Sequence, residues 1–268
     1  MTKSFARALF LTAGLAMGPA YAFDTYALKV LGFSPDGQHF GFMYYAPQFD
    51  AQRFHAEVSV IDTATDRFVA GSPLKVTEEM AYDLVDEKFD AELKAFLGRV
   101  DNKAAKHIGE RKIGRPGAVL ARVAEARTDE YESSSDKPSA EPGVASITAT
   151  HPRLGELKFT LETKEINWPK TSKLYAGKEA PSCATEMDSA KGPAFRLTLD
   201  RGGRNIVLQD DKIIPASRNC VIGYGIVEVQ TFDRPDGKVT LAVLLSMKNR
   251  GFEGQDRMFL AVTRVLDR

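Results

Sequence analysis

The stretch LKVLGFSPDGQHFGFMY, Leu28–Tyr44, indicates how this chain folds. Apolar residues precede Pro35-Asp36-Gly37, and after these three residues Phe40, Phe42 and Tyr44 recur at every second position. Proline fixes φ, the aspartate carboxylate accepts hydrogen bonds from nearby backbone, and glycine is free to adopt positive φ, so the three residues favour a tight turn. The stretch therefore predicts two strands joined as a hairpin.

Similar strand patterns recur along most of the chain. A second Pro-Asp-Gly, Pro235–Gly237, follows the first after 200 positions and also stands between two apolar runs. This echo predicts similar strand units at both ends, as in a propeller whose termini meet, although two copies of a common turn also arise by coincidence. We expect a mainly β, single-domain protein that is propeller-like or, alternatively, a β-sandwich. The other predicted strands are 56–61, 67–70, 118–126, 144–150, 156–162, 194–199, 205–208, 222–232, 238–246 and 257–265.

One segment has the period of a helix instead. Within Thr77–Leu97, apolar residues recur at three- and four-residue steps with acidic residues between them, and Gly98 stands where a helix would end. A second short helix is predicted over Asn102–Ile108. The β domain should therefore carry a helical insertion at about 77–109.

The first 22 residues are typical of a cleaved signal peptide. Two basic residues precede the apolar run Ala8–Met17, and Ala20-Tyr21-Ala22 supplies the small residues that signal peptidase requires. The apolar run is half the length of a membrane-spanning helix. We expect cleavage between Ala22 and Phe23, a mature chain over 23–268 without a transmembrane segment, and a periplasmic or secreted protein.

Export gives a meaning to the two cysteines, Cys183 and Cys220. A bridge between them would close a loop of about 37 residues and contribute roughly 3–4 kcal/mol by the chain-entropy estimate. A metal pair or a redox pair is the alternative, but the cysteines lack Cys-x-x-Cys spacing and have no nearby histidine. The sequence therefore favours a disulfide.

Charge and composition limit the partners. The chain has 36 basic and 36 acidic residues, and removal of Lys3 and Arg7 with the signal peptide leaves a net charge of −2. Nucleic acid and anionic membrane surfaces attract cationic proteins, so neither is an expected partner. The segment 127–143 is rich in serine, proline and glutamate, which predicts an exposed flexible loop.

Two resemblances add to this interpretation. Gly32–Phe42 followed by Val58–Thr63 resembles one blade of the periplasmic Tol-associated β-propeller. The order of segments along the whole chain resembles an uncharacterised bacterial family of predicted secreted proteins with a domain of unknown function, which implies export and a shared fold but no activity. The later segments that carry this second resemblance are Gly223–Gly225, Gly251–Arg257 and Phe259–Thr263.

No motif in the sequence names a reaction. The sequence has no Gly-x-Ser-x-Gly, His-Glu-x-x-His, Walker or dinucleotide-binding pattern, and its four histidines are scattered, so we predict neither a metal nor a cofactor. Aromatic and charged residues on loops often form contact surfaces. The candidates are Phe252, Glu253, Asp256 and Arg257, together with Trp168.

These observations favour a non-catalytic binding or interaction protein of the bacterial cell envelope, with an unidentified envelope protein or glycan as its partner. The alternative is an exported hydrolase that acts on envelope glycans or peptides with two carboxylates about 5–10 Å apart.

The signal-peptide interpretation predicts the N-terminus of the mature protein. Protein purified from a periplasmic extract should begin at or within a few residues of Phe23 when its terminal peptide is sequenced by mass spectrometry. A periplasmic protein that retains residues 1–22 would contradict export by cleavage.

Overall fold

A computed structural model describes residues 26–48, 51–81, 86–123, 143–168, 183, 187–250 and 255–267. The predicted signal peptide with its Ala22–Phe23 cleavage site, and the predicted loop 127–143 apart from its last residue, lie outside the described residues. Strands form most of the described chain. They are β1 (Ala27–Phe33), β2 (His39–Gln48), β3 (Arg53–Asp62), β4 (Arg67–Phe68), β5 (Leu74–Glu79), β6 (Ala118–Arg122), β7 (Ser146–His151), β8 (Gly155–Asn167), β9 (Lys191–Arg201), β10 (Arg204–Asp210), β11 (Val221–Asp233), β12 (Val239–Arg250) and β13 (Gln255–Leu266), with the helix α1 (Asp86–Glu110) and a short 3₁₀ helix (Ala216–Arg218).

The hairpin predicted from Leu28–Tyr44 is confirmed. β1 and β2 pair antiparallel from Ala27 opposite Tyr45 to Phe33 opposite Phe40. The Asp36 carboxylate accepts hydrogen bonds from the Ser34 hydroxyl at 2.6 Å and from a backbone N–H at 3.0 Å. The bond from the Ser34 hydroxyl is the largest cause of the lowered pKa of Asp36. The turn is therefore stabilised by the acceptor that its sequence supplies.

The described strands form three antiparallel sheets. The front sheet has the order β1-β2-β3, and both β4 and β5 pair with the outer edge of β3. The central sheet has the order β13-β12-β11-β6, and the back sheet has the order β10-β9-β8-β7. None of these sheets closes into a barrel over the part of the chain that the structure describes. Their open form is compatible with a sandwich-like arrangement and does not confirm the propeller.

The central sheet is buried on both faces. On β12, Ala242 and Leu244 belong to the core shared with the front sheet, whereas Leu241, Val243 and Leu245 belong to the core shared with the back sheet. Successive side chains of a strand point to opposite faces, so a strand between two layers needs apolar residues on both. The unbroken apolar run Leu241–Leu245 meets this requirement.

The helix prediction was right in kind and wrong in its boundaries. Thr77–Glu79 is strand, because its backbone completes the free edge of β3, and α1 begins only at Asp86. Gly98 does not end the helix. It lies on an exposed face with open space around it, so the missing side chain costs only about 1 kcal/mol. Phe96, Val100 and Ala104 continue the buried stripe past it against the front sheet. One helix over 86–110 therefore replaces the predicted pair.

The two Pro-Asp-Gly turns lie against each other. The carbonyl oxygen of Gly37 accepts hydrogen bonds from the hydroxyls of Thr63, at 2.8 Å, and Thr240, at 2.9 Å. The rings of Phe33 and Phe232, on the strands that enter the two turns, stack with centroids 5.3 Å apart. The first hairpin is in the front sheet and the second in the central sheet, so the echo in the sequence corresponds to a contact between layers.

The predicted disulfide between Cys183 and Cys220 is confirmed, with 5.2 Å between the Cα atoms. Both cysteines are buried in the core between the front and central sheets, as is Trp168. Cys220 immediately precedes β11, so the bridge ties the region that follows β8 to the start of a central-sheet strand.

The contact between the two turns predicts unequal costs for two glycine substitutions. Gly37 and Gly203 both have positive φ, but a Cβ at Gly37 would lie 2.8–3.1 Å from atoms of Arg234, Phe232 and Thr240, whereas Gly203 faces open space. Gly203→Ala should lower the free energy of unfolding by about 1 kcal/mol through backbone strain. Gly37→Ala should lower it by about 1–3 kcal/mol more through overpacking, as measured by urea unfolding. Equal losses would contradict the packing of the two turns.

Candidate functional site

A cleft of about 360 Å³ lies where the front sheet, the central sheet and the connection after β10 meet. We call it the junction cleft. Four aromatic rings and several polar side chains line it, a composition common in ligand-binding pockets of this size. Its lining residues are Phe42, Tyr44, Glu57, Ser59, Ile61, Asp66, Arg67, Phe68, Gln209, Pro215, Ser217, Arg218, Met247, Phe259, Leu260, Ala261 and Val262.

The register of β2 and β3 builds the front wall. Tyr44 pairs with Glu57, and Phe42 pairs with Ser59. The opposite face of β3, with Phe54, Ala56 and Val58, packs in the core that contains α1. Glu57 and Ser59 therefore point into the interface between two sheets, where polar side chains are unusual and call for an explanation.

Glu57 is held by two neighbours. The Nζ of Lys75, on β5, lies 3.1 Å from its carboxylate. Burial and the Glu57 carboxylate together raise the pKa of Tyr44 well above its ordinary value. Tyr44 therefore keeps its phenolic proton and is a hydrogen-bond donor beside the carboxylate.

Ser59 carries the clearest unexplained polar atom of the front wall. The residue is 1% exposed, and its Oγ has no hydrogen-bond partner among the residues that the structure describes. A buried hydroxyl without a partner lowers the stability of the fold by about 1–3 kcal/mol. Stability alone therefore does not explain a serine at this position beside the cleft.

Asp66 connects the front wall to β13, whose residues Phe259–Val262 form the floor of the cleft. It has positive φ in the turn between β3 and β4. Its Oδ1 accepts hydrogen bonds from the backbone N–H of Thr263 at 2.7 Å and from the Thr263 hydroxyl at 2.9 Å. Burial raises the pKa of Asp66 above its ordinary value, although the two hydrogen bonds oppose this shift. Asp66 therefore fixes the β3–β4 turn to the outer edge of β13.

Arg218 forms the opposite wall and is held on several sides. Its guanidinium donates hydrogen bonds to both carboxylate oxygens of Asp211 and lies 4.6 Å from the centre of the Phe195 ring. It also donates to the Tyr224 hydroxyl at 3.2 Å. Burial opposes its charge, but the hydrogen bond with Asp211 raises the pKa of Arg218 above its ordinary value. The cation is fixed in one orientation at the edge of the cleft.

Of the contact residues predicted from the sequence, the three that the structure describes, Asp256, Arg257 and Trp168, do not line this cleft. Arg257 is 3% exposed, its guanidinium lies 5.6 Å from the centre of the Phe259 ring, and burial lowers its pKa to about 10. Asp256 precedes it on β13 and is partly exposed, whereas Phe252 and Glu253 lie outside the described residues.

Trp168 belongs to the core between the front and central sheets but does not line the junction cleft. It is 7% exposed and packs directly over Gly192, which has no side chain to obstruct the ring. It also lines a second cavity of about 600 Å³ with Lys191, Lys212 and the exposed Ile213. The predicted contact residues therefore do not converge on one site among the described residues.

Part of the missed site has a sequence signal. β3 alternates between apolar residues and His55, Glu57 and Ser59, so one face of the strand is recognisably polar. Such alternation ordinarily predicts a solvent-exposed face, and only the stacking of the central sheet makes it the wall of a cleft. Arg218 and Asp211 belong to no recognisable motif. Within the described residues, no group of three or more His, Cys, Asp and Glu side chains is placed to hold a metal ion.

The buried pair of Arg218 and Asp211 predicts a strong effect of removing one partner. Arg218→Met should lower the free energy of unfolding by about 3–5 kcal/mol, because it leaves the Asp211 carboxylate buried without its cation. The double variant with Asp211→Asn should recover at least half of this loss, since the neutral amide needs no counter-ion. Chemical denaturation of the single and double variants measures both, and a double variant as unstable as Arg218→Met would contradict the explanation.

Comparison with known proteins adds the family. The comparisons with curated proteins and with solved structures gave no match. Across the described residues, no helix is both long and apolar enough to cross a membrane. The family described as "Predicted secreted protein (DUF2259)" matches residues 50–264, which include the junction cleft from Glu57 to Val262 apart from its β2 wall. The chain therefore belongs to this uncharacterised family of predicted secreted proteins.

Proposed function

We propose that this chain is an exported, non-catalytic binding protein of the bacterial cell envelope that works in the periplasm. The observation that carries the proposal is the junction cleft, whose aromatic walls contain charged groups already engaged by the protein itself. Glu57 has Lys75, Asp66 has Thr263 and Arg218 has Asp211. Polar groups fixed in this way inside a pocket are suited to orient a ligand.

We propose that the mature chain, residues 23–268, forms one sandwich-like β domain. Shared cores between the front and central sheets and between the central and back sheets support a single unit. The disulfide supports an oxidising compartment such as the periplasm.

The partner surface extends beyond the cleft in this proposal. Asp256 and Arg257 lie on β13, the strand that forms the floor of the cleft. The Arg257 guanidinium also contacts the ring of Phe259, which lines the cleft. We place Phe252, Glu253, Asp256 and Arg257 at the border of the partner's footprint, and Trp168 at a secondary contact.

An exposed ring at the rim of the cleft permits a clean test. Phe68 is 45% exposed and lines the cleft, whereas Val119 is 44% exposed on β6 and does not. Mature protein immobilised on a resin should retain a specific component of an envelope extract. Phe68→Ala should reduce retention at least fivefold, because the component loses an aromatic contact. Val119→Ala should retain the component as the unchanged protein does.

The same experiment separates binding from catalysis. Mass spectrometry of the retained component before and after incubation should show no chemical change. Turnover of the component, or equal retention by the Phe68 and Val119 variants, would overturn the proposal of non-catalytic binding in the junction cleft.

A further inference from the structure

The floor of the junction cleft is the edge of a strand. Phe259, Leu260, Ala261 and Val262 are consecutive on β13, and all four line the cleft. Phe259 and Ala261 pack toward the front sheet, whereas Val262 belongs to the core with the back sheet. A cavity that touches residues from both faces of one strand lies beside its backbone. β13 is the outermost strand of the central sheet among the described strands, so this backbone edge has no neighbouring strand.

The hydrogen bond between Thr263 and Asp66 shows which backbone groups point into the cleft. The N–H of Thr263 donates to the Asp66 carboxylate, so it points away from β12. Residues on an antiparallel edge strand alternate between those bonded to the neighbouring strand and those directed outward. β12 and β13 pair without a register shift from Val239 to Arg250. Phe259 and Ala261 therefore direct their N–H and C=O groups to the same side as Thr263.

Asp66 ends the open part of this edge. Its carboxylate accepts the Thr263 N–H, as the carbonyl of an added strand would. Proteins commonly protect exposed edges in such ways, because unpaired backbone groups bind other chains. The protection by Asp66 stops at Thr263. At the next two outward positions, Ala261 and Phe259, the outward-directed N–H and C=O groups have no hydrogen-bond partner among the described residues.

We propose that the junction cleft binds an extended peptide segment, which adds to the edge of β13 as a further strand along Phe259–Ala261. This inference rests on the proposed binding function and names the class of partner. Strand addition supplies affinity through backbone hydrogen bonds and specificity through pockets for alternate side chains. The outward positions repeat every two residues, about 7 Å along the strand, which is the repeat of an extended peptide.

The cleft walls predict which peptide fits. On the front side, an added strand would direct alternate side chains toward the rings of Phe42 and Phe68, which favours an apolar or aromatic residue there. The two acidic residues of the lining, Glu57 and Asp66, are balanced by the two basic residues, Arg67 and Arg218. We therefore expect a peptide without a strong net charge.

Proline substitution on β13 tests strand addition without breaking the sheet. The N–H of Ala261 points away from β12, so Ala261→Pro removes a donor from the cleft and leaves the β12 ladder intact. Val265 has the same outward orientation on the same strand but does not line the cleft. Val265→Pro is therefore the matched control.

The probe is the tightest binder from a displayed library of random dodecapeptides, resynthesised and measured by isothermal titration calorimetry with the mature protein. Ala261→Pro should weaken its binding at least tenfold, and Val265→Pro by less than twofold. N-methylation of alternate peptide residues provides a test that leaves the protein unchanged. N-methylation of one alternating set of peptide residues should abolish binding, whereas N-methylation of the other set should change the affinity by less than about twofold.

Each other outcome overturns this inference. The inference fails if the library yields no binder, if the two proline variants behave alike, or if N-methylation of neither set matters. Should the resin experiment with Phe68→Ala succeed while the retained component is a glycan or a lipid, the proposed function would stand and strand addition would be wrong. If both the peptide-binding tests and the resin experiment failed, the proposed binding function would be wrong as well.

Discussion

The structure depends on the burial of the central sheet on both faces. β12 is the middle of this arrangement, and its aliphatic side chains alternate between the two cores. Burial of each such side chain contributes about 1.5–3 kcal/mol to the stability of the fold. Loss of either covering sheet would expose several of these side chains and remove their contributions together. The same constraint requires partners for the polar residues on β12. Thr240 meets it by donating to the carbonyl of Gly37 in the front sheet.

The covering layers also determine where the described part of the central sheet has its outer edges. On one side of the central sheet, β6 is its outermost described strand, and on the other side β13 borders the junction cleft. Asp66 and Arg218 bound this cleft from the front sheet and from the connection after β10. Both are fixed by partners inside the protein. In the proposed binding role, a cleft preorganised in this way would lose little conformational entropy when a ligand binds.

Local chemistry made much of the fold predictable from the sequence. The Pro-Asp-Gly turns specify their own hydrogen bonds, and the apolar runs around them specify strands, so both hairpins could be identified. The disulfide followed from export and the absence of any competing ligand. The start of α1 could not be predicted in the same way, because Thr77–Glu79 becomes strand only through pairing with β3, whose edge is distant in the chain.

The candidate site was far less predictable, because its residues come from parts of the chain that only the fold brings together. Glu57 and Ser59 are recognisable as the polar face of a strand, but that pattern alone places them in solvent. Asp66 and Thr263 are 197 residues apart, and no local pattern connects them. The predicted contact residues near Arg257 were chosen as aromatic and charged residues on a predicted loop, whereas the structure places Arg257 on β13 and buries it against Phe259.

Amide hydrogen exchange of the unliganded mature protein tests the central claim most directly. If the central sheet is the doubly covered layer and β13 its open edge, the amides of Val243 and Leu245 should exchange only through global unfolding. Along β13, the amides of Leu260 and Val262 should be protected by the β12 ladder, while that of Ala261 should exchange at least a hundredfold faster. Equal protection of Leu260, Ala261 and Val262, or exchange of Val243 as fast as that of edge strands, would contradict the architecture and the open edge together.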